Sequence, residues 1–350
     1  MRLGRTRISA VAVLIGVAAL FGAGVAGCTP TAADTAMAPG RAEPQSSAPQ
    51  RPTAASSRLT PARADSPSAS PKTASATSSP AARDTHSMMS LTVDGRVRTY
   101  DVITPTRPAA PRLPVVVVLH GISAPVSDEE IRTGLVPQVD AGNLILAYPA
   151  GYGRSWNAGN CCGQAQQAGI DDIAFLTAVF QQLKARDDVD AAQISLAGFS
   201  NGGRMAYDLV CKRPDLMSAL IVIAAVPDTV CAPGAAVPLL QIASDDDPEI
   251  AYTTAEGPYS SGTFEDPAVS TQVDTWRARN GCEPAFSAVT TGNLKTQTWF
   301  ACSSGKLVEL ATYHGIQHVW PYGGTNTPSA AAVITAFLAD VASAQASAAS

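Results

Sequence analysis

A mostly parallel, doubly wound α/β sheet entered through an antiparallel hairpin is the fold this sequence predicts, and three observations carry it. Short continuous runs such as Val115-Val116-Val117-Val118-Leu119 and Leu220-Ile221-Val222-Ile223 recur along the chain. Runs of that kind are how strands covered on both faces of a parallel sheet read. Between and after them, apolar residues return at helical spacing, the mark of helices laid against a core. Ahead of them Asp94-Gly95 separates two strand-like segments, a two-residue hairpin signal. Strand and helix in alternation behind a hairpin give a sheet with helices on both faces.

The elements follow in order. The hairpin is predicted over 91–94 and 96–103, and strands over 115–119 and 144–148. A helix follows Asp171-Asp172, because Ile173, Leu176, Val179, Phe180 and Leu183 fall on one face. A strand over 194–197 leads to a helix from Met205 to Val210, then strands over 220–223, 239–242 and 307–312. Val333, Ile334, Phe337, Leu338 and Val341 mark the last helix. Both helical stripes read as core packing. No internal repeat is present.

Not all of the 350 residues belong to this fold. Residues 29–99 contain no Phe, Trp or Tyr, and 29–87 hold nine of the 26 prolines among Ala, Ser, Thr and Arg. A stretch so poor in apolar bulk cannot offset its ordering entropy, and 28–87 is expected to be a disordered tether. At the N-terminus Arg2, Arg5 and Arg7 precede an uncharged apolar run from Ile8 to Ala26, so 1–27 reads as a secretory signal. Val25-Ala26-Gly27-Cys28 resembles the bacterial lipobox, in which Cys28 would become a lipid-bearing N-terminus. The alternative is an uncleaved membrane anchor of similar length. Either reading exports the remainder, to the outer face of the cell membrane or beyond.

That leaves 88–350, a length suited to one large α/β domain. It carries 15 Lys and Arg against 25 Asp and Glu, a net charge of −10. No basic cluster suggests a nucleic-acid partner. The four histidines, at 86, 120, 314 and 318, form no zinc-ligand spacing with cysteine, so neither a metal nor a cofactor is expected. Six cysteines remain beyond Cys28, an even number that reads as three disulfides in an oxidising compartment. Cys282 and Cys302 are close in sequence and isolated from the other four, which marks them as a pair. Cys161, Cys162, Cys211 and Cys231 pair among themselves; a ring between adjacent cysteines would be strained, so Cys161 and Cys162 are each expected to reach Cys211 or Cys231.

The chemistry is signalled where a strand becomes a helix, at Gly198-Phe199-Ser200-Asn201-Gly202-Gly203. A G-x-S-x-G match alone is weak in a glycine-rich chain, but the strand-to-helix placement is the one a nucleophile elbow requires. A serine hydroxyl needs a base, usually histidine, itself oriented by a carboxylate. Only His314 and His318 follow Ser200. His318 lies in the loop between the 307–312 strand and the last helix, whereas His314 directly follows that strand and is expected to pack or hydrogen-bond there. The acid should follow the 239–242 strand, where Asp245, Asp246 and Asp247 stand in a row. Local pattern does not choose among the three. An oxyanion hole would use the backbone N–H of Asn201 and that of Ile122 in the loop His120-Gly121-Ile122-Ser123. His120 is then a loop-shaping residue.

Three further segments complete a pattern: Trp156-Asn157-Ala158-Gly159-Asn160-Cys161-Cys162-Gly163, Asp171-Asp172-Ile173-Ala174-Phe175-Leu176 and His318-Val319-Trp320-Pro321. Together with the elbow they resemble the polyhydroxybutyrate depolymerase and feruloyl esterase family, within it the LpqC-type lipoprotein esterases, over about residues 90 to 340. The resemblance implies an α/β-hydrolase fold and a serine ester hydrolase with Ser200 as nucleophile, Asp247 as acid and His318 as base. Alignment of the Asp247-Pro248 pair is what selects Asp247. It also brings Trp156 and Trp320 near the site as substrate contacts, against the tendency of lone tryptophans to pack in cores. The chain departs from the family at Ser244-Asp245-Asp246, at Gly315-Ile316-Gln317 and at Ile122, so substrate preference is not carried across. Polyhydroxyalkanoate, feruloyl and similar short acyl or aryl esters are the expected substrates. The rivals are an acyltransferase or serine peptidase with the same triad and a non-catalytic polymer-binding lipoprotein. The stretch 253–267, rich in Gly, Ser and Pro, is either substrate rim or plain surface loop.

Overall fold

The computed structural model describes residues 83–228, 231–232, 234–254 and 266–349. The candidate signal, Cys28, the tether as far as residue 82 and most of the 253–267 stretch lie outside the described residues. The chain forms strands β1 (Asp84–Val93), β2 (Arg96–Pro105) and β3 (Leu113–Leu119), helices α1 (Val126–Thr133) and α2 (Val136–Asp140), and strand β4 (Ile145–Pro149). Helices α3 (Gly163–Gln167) and α4 (Asp172–Lys184), strand β5 (Val189–Phe199), helix α5 (Asn201–Lys212) and strands β6 (Leu220–Ile223) and β7 (Leu239–Ser244) follow. Helix α6 (Val269–Asn280), strands β8 (Ser287–Thr291), β9 (Leu294–Trp299) and β10 (Val308–Tyr313), and helix α7 (Ala330–Ala349) complete it.

Among the described residues ten strands join one sheet in the order β1-β2-β4-β3-β5-β6-β7-β10-β9-β8. The six central strands, from β4 to β10, are parallel, and an antiparallel pair closes each edge. The β1–β2 hairpin turns at Asp94-Gly95 as its sequence predicts. Alternate residues of the central strands feed two cores. On one face Val115, Val117, Ile194, Leu196 and Val222 pack with Phe175, Leu176 and Phe180 of α4 and with α5 and α6. On the other, Val116, Val118, Ile221, Ile223 and Leu240 meet Val139 of α2 and Val333, Ile334 and Phe337 of α7. This is the mostly parallel α/β sheet read from the sequence, held in addition by three cysteine pairs.

Helices α1, α2, α3 and α6 were not read from the sequence, and the two edges of the sheet also differ from expectation. β1 starts at Asp84, so the strand reaches into the stretch read as tether. Its polar first residues are held by ladder pairing to β2 rather than by burial, and an apolar pattern cannot reveal that. The β8–β9 hairpin was not expected, because all five residues of β8 are exposed on this sheet edge.

Candidate active site

Strand order reverses between β3 and β5, and in open parallel sheets the crevice beyond the carboxyl ends at such a point is where ligands bind. The loops leaving β3, β5, β7 and β10 all carry predicted site residues. Ser200 occupies the one-residue turn between β5 and α5, at φ 51° and ψ −120°. A non-glycine residue there costs on the order of 1–3 kcal/mol, and its neighbours hold it in place. Ser200 N–H donates to Ile223 O (2.9 Å), and Ser200 O accepts from Arg204 N–H (3.0 Å). Gly202 is required by close approach, since a Cβ there would lie 2.4 Å from Leu119 O and 2.5 Å from His120 O.

The three adjacent aspartates have three different partners. Asp245 pairs with the exposed His314, at 2.9 Å from Nδ1. Asp246 accepts from Ser244 Oγ (2.5 Å) and from Gln317 N–H (3.2 Å). Asp247 is buried; its Oδ2 accepts from His318 Nδ1 (2.8 Å), and its Oδ1 takes the N–H groups of Glu249 (2.8 Å) and Ile250 (3.1 Å). With Nδ1–H donated to Asp247, His318 Nε2 is free to accept from Ser200 Oγ, which lies 2.9 Å away. Burial pulls the His318 imidazole down, but the hydrogen bond and charge of Asp247 outweigh it, and the group ends above its ordinary value. The acids thus also tie the β7 loop to the β10 loop, an arrangement no local pattern in the sequence could reveal.

A second set of contacts fixes the backbone around Ser200. The Asn201 side chain accepts from Trp156 N–H (2.8 Å) and donates to Trp156 O (3.0 Å). The Trp156 indole N–H donates to His120 O (2.9 Å), and Ser123 N–H donates to Arg154 O (2.8 Å). Asn157 N–H donates to Asp172 Oδ2 (2.8 Å), while Asp172 Oδ1 meets the Arg98 guanidinium at 2.8 Å. The loop bearing Ile122 and the helix start bearing Asn201 are therefore joined through one tryptophan. Among the described residues the Ile122 N–H has no hydrogen-bond acceptor, and Asn201, opening α5, has no helical carbonyl behind it. His120 is buried, its Nε2 accepts from Gly151 N–H (3.0 Å), and burial keeps its pKa below the ordinary value. It shapes the loop.

Two expectations are corrected. Trp156 and Trp320 are 0% and 2% exposed and line neither hollow at Ser200. Trp156 spends its polar edge on His120, and Trp320 packs against Phe199 with ring centres 6.2 Å apart. The cysteines pair as Cys161–Cys162, Cys211–Cys231 and Cys282–Cys302. Cys161 and Cys162 do not reach Cys211 or Cys231. Cys161 Sγ lies 3.7 Å from Asn201 Nδ2, at the start of α5, whereas Cys211 is ten residues further along that helix, about 15 Å away by helical rise. The peptide between Cys161 and Cys162 is cis, with their Cα atoms 3.1 Å apart.

Two hollows meet at Ser200 and His318, and Ile122 and Glu249 border both. One, of about 310 Å³, is walled by Pro125, Asp128, Arg132 and Phe199. The other, of about 390 Å³, is walled by Cys161, Cys162, Arg204, Ile250 and Asp266. Arg204 and Glu249 were not foreseen as cleft residues. Arg204 lies one helical turn after Ser200, a spacing that could have flagged it.

No protein-family model matches the chain. Over 265 residues it is 30% identical to a protein named as an esterase, NocK of Nocardia uniformis subsp. tsuyamanensis, covering 70% of this chain and 77% of that one. Feruloyl esterase D of Neurospora crassa is 28% identical over 201 residues, 56% of this chain and 58% of its own length. Among solved structures, acetyl xylan esterase from Aspergillus awamori superposes with a TM-score of 0.51 at 12% identity, covering 73% of this chain and 99% of that one, a likeness of fold. The chain belongs to the esterase family of NocK, carboxylic ester hydrolases on the α/β-hydrolase fold.

Proposed function

We propose that the chain is an exported serine ester hydrolase that works through an acyl-enzyme, with Ser200 as nucleophile, His318 as base and Asp247 as the acid that orients it. The observation that carries this reading is the unbroken hydrogen-bonded line from Asp247 through His318 to Ser200, 2.8 and 2.9 Å long in its two links. Ser200 Oγ adds to the ester carbonyl as His318 Nε2 takes its proton. The carbonyl oxygen becomes an oxyanion beside the N–H groups of Ile122 and Asn201. Collapse breaks the C–O bond, and the imidazolium returns the proton to the departing alcohol. Water then attacks the acyl-Ser200 ester as His318 takes its proton, and collapse breaks the bond from the acyl carbon to Ser200 Oγ, to which His318 returns the proton as the carboxylic acid leaves. Asp247 keeps the proton on Nδ1 and stabilises the imidazolium.

The substrates in this reading are polyhydroxyalkanoate, feruloyl or similar short acyl and aryl esters, supported by the feruloyl ester named for the Neurospora relative. The basic, apolar and small-residue order of 1–28 supports export with Cys28 as a lipid anchor and the following segment as a tether. The test of the mechanism is a fluorophosphonate probe followed by peptide mass spectrometry. An adduct on Ser200 that vanishes in His318→Ala is the expected result, and no adduct on a folded protein refutes the reading. Ser200→Ala should lower kcat by about 10⁵- to 10⁶-fold while the melting temperature stays within a few degrees. Loss of fatty-acid labelling in Cys28→Ala tests the anchor.

A further inference from the structure

Glu249 stands where the two hollows meet, and its carboxylate lies 3.6 Å from His318 Nε2, the atom that receives the proton from Ser200. Its side chain is 65% exposed, and among the described residues His318 is its only ionic contact. The other charges in the cleft leave it uncompensated. The Arg204 guanidinium is spent on two buried carboxylates, Asp228 at 2.9 Å and Asp266 through both of its terminal nitrogens. Asp228 is further tied to Asn160 N–H at 2.6 Å. In the other hollow Arg132 stands beside Asp128 and lies 3.9 Å from the buried Glu129. Among the described residues of the two hollows, Arg132 is the one guanidinium that makes no hydrogen bond to a carboxylate, and it shares its hollow with Asp128.

We propose that Glu249 is a specificity-determining residue, a fixed negative charge at the reacting centre that rejects esters bearing a carboxylate near the scissile bond and admits neutral or cationic ones. The inference rests on the serine mechanism proposed above. Two like charges about 6 Å apart at a partly solvated site repel enough to change relative rates by about tenfold or more. The same charge does not penalise the chemistry, because His318 turns into an imidazolium beside it as Ser200 attacks. It also pushes away the carboxylate that hydrolysis releases. On a polyester, the free-acid chain end is then the poor end for cleavage.

The experiment compares kcat/KM of the full chain on three matched p-nitrophenyl esters: butyrate, hemiglutarate and 4-(trimethylammonio)butyrate. Rates are read on the pH plateau, and Ser200→Ala is the blank. The expected result is a neutral-to-anionic preference of at least tenfold, which shrinks about tenfold in Glu249→Gln, persists in Glu249→Asp and narrows for the unaltered chain at high salt. The cationic ester should lose ground to the neutral one in Glu249→Gln. An unchanged ratio in Glu249→Gln, or no discrimination in the unaltered chain, overturns the proposal while a silent Ser200→Ala leaves the serine mechanism standing. Hydrolysis that survives Ser200→Ala removes both. Where Glu249→Gln is inactive on all three esters, the salt series decides, and a salt-independent ratio counts against Glu249.

Discussion

In the proposed mechanism a proton moving from Ser200 to His318 enters a ring whose basicity is set by its surroundings, and the pH dependence follows. The ring is partly buried, which disfavours its charge, yet Asp247 and then Glu249 hold its pKa above the ordinary 6.5. The base must be neutral to act, so kcat/KM on a neutral ester should fall on the acid side with a midpoint above 6.5. Asp247→Asn should move that limb to lower pH and cost about 10⁴-fold in kcat, as expected when the wrong tautomer is left. A pH–rate profile of both proteins is the check. Asn201→Ala keeps the backbone N–H but leaves the Trp156 amide and carbonyl without their partners. It should lower kcat by about ten- to a hundredfold with little change in KM. That Ser200 and His318 meet was legible from strand-to-helix context and chain order. The choice of Asp247 needed the family resemblance, because Asp245, Asp246 and Asp247 look alike in sequence and differ only in what the β10 loop brings to them.

Among the elements, α1 carries an unusual burden. Glu129 is 1% exposed, neither carboxylate oxygen has a hydrogen-bond partner, and burial pushes its pKa up to about 7. In the unfolded chain the group ionises near 4.5, so folding costs more as pH rises from about 4.5 to about 7 and levels off above. Glu129→Gln should therefore stabilise the protein at pH 8, by at most about 3 kcal/mol, with the gain shrinking toward pH 4.5. Thermal melts across that range test it. The Cys211–Cys231 bond closes a loop between the end of α5 and the approach to β7. Replacing both cysteines by alanine should cost about 2–4 kcal/mol in denaturant unfolding. The buried strands and the α4 and α7 stripes were legible because their periodicity is strong. The β8–β9 hairpin was not, although Gly292-Asn293 at its turn is a recognised signal, because Ser, Thr and Lys on an exposed edge blur the apolar pattern.

Across the whole molecule, the site is assembled from four loops at one end of the sheet, and sequence order hides how near they lie. The fold class was legible because alternation of strand and helix is a chain-long property, whereas the cleft walls depend on which loops converge. Glu249 became visible only then. Met89, Leu91 and Val93 of β1 pack against the core formed with α4, so a chain beginning at Arg83 should melt with the full protein. One beginning at Gly95 should melt several degrees lower, as calorimetry of the two would show.

The parallel pairing of β10 with β7 decides which lengths of chain can assemble the proposed triad. Ser200 and His318 are separated by 118 positions, and the base arrives on a loop that exists only after residue 313 has joined the sheet. A fragment ending between Asp247 and His318 carries the proposed serine, acid and oxyanion amides but nothing to draw the proton away. In the proposed mechanism turnover therefore requires a chain that extends through His318, and an activity assay counts such molecules and is blind to shorter fragments.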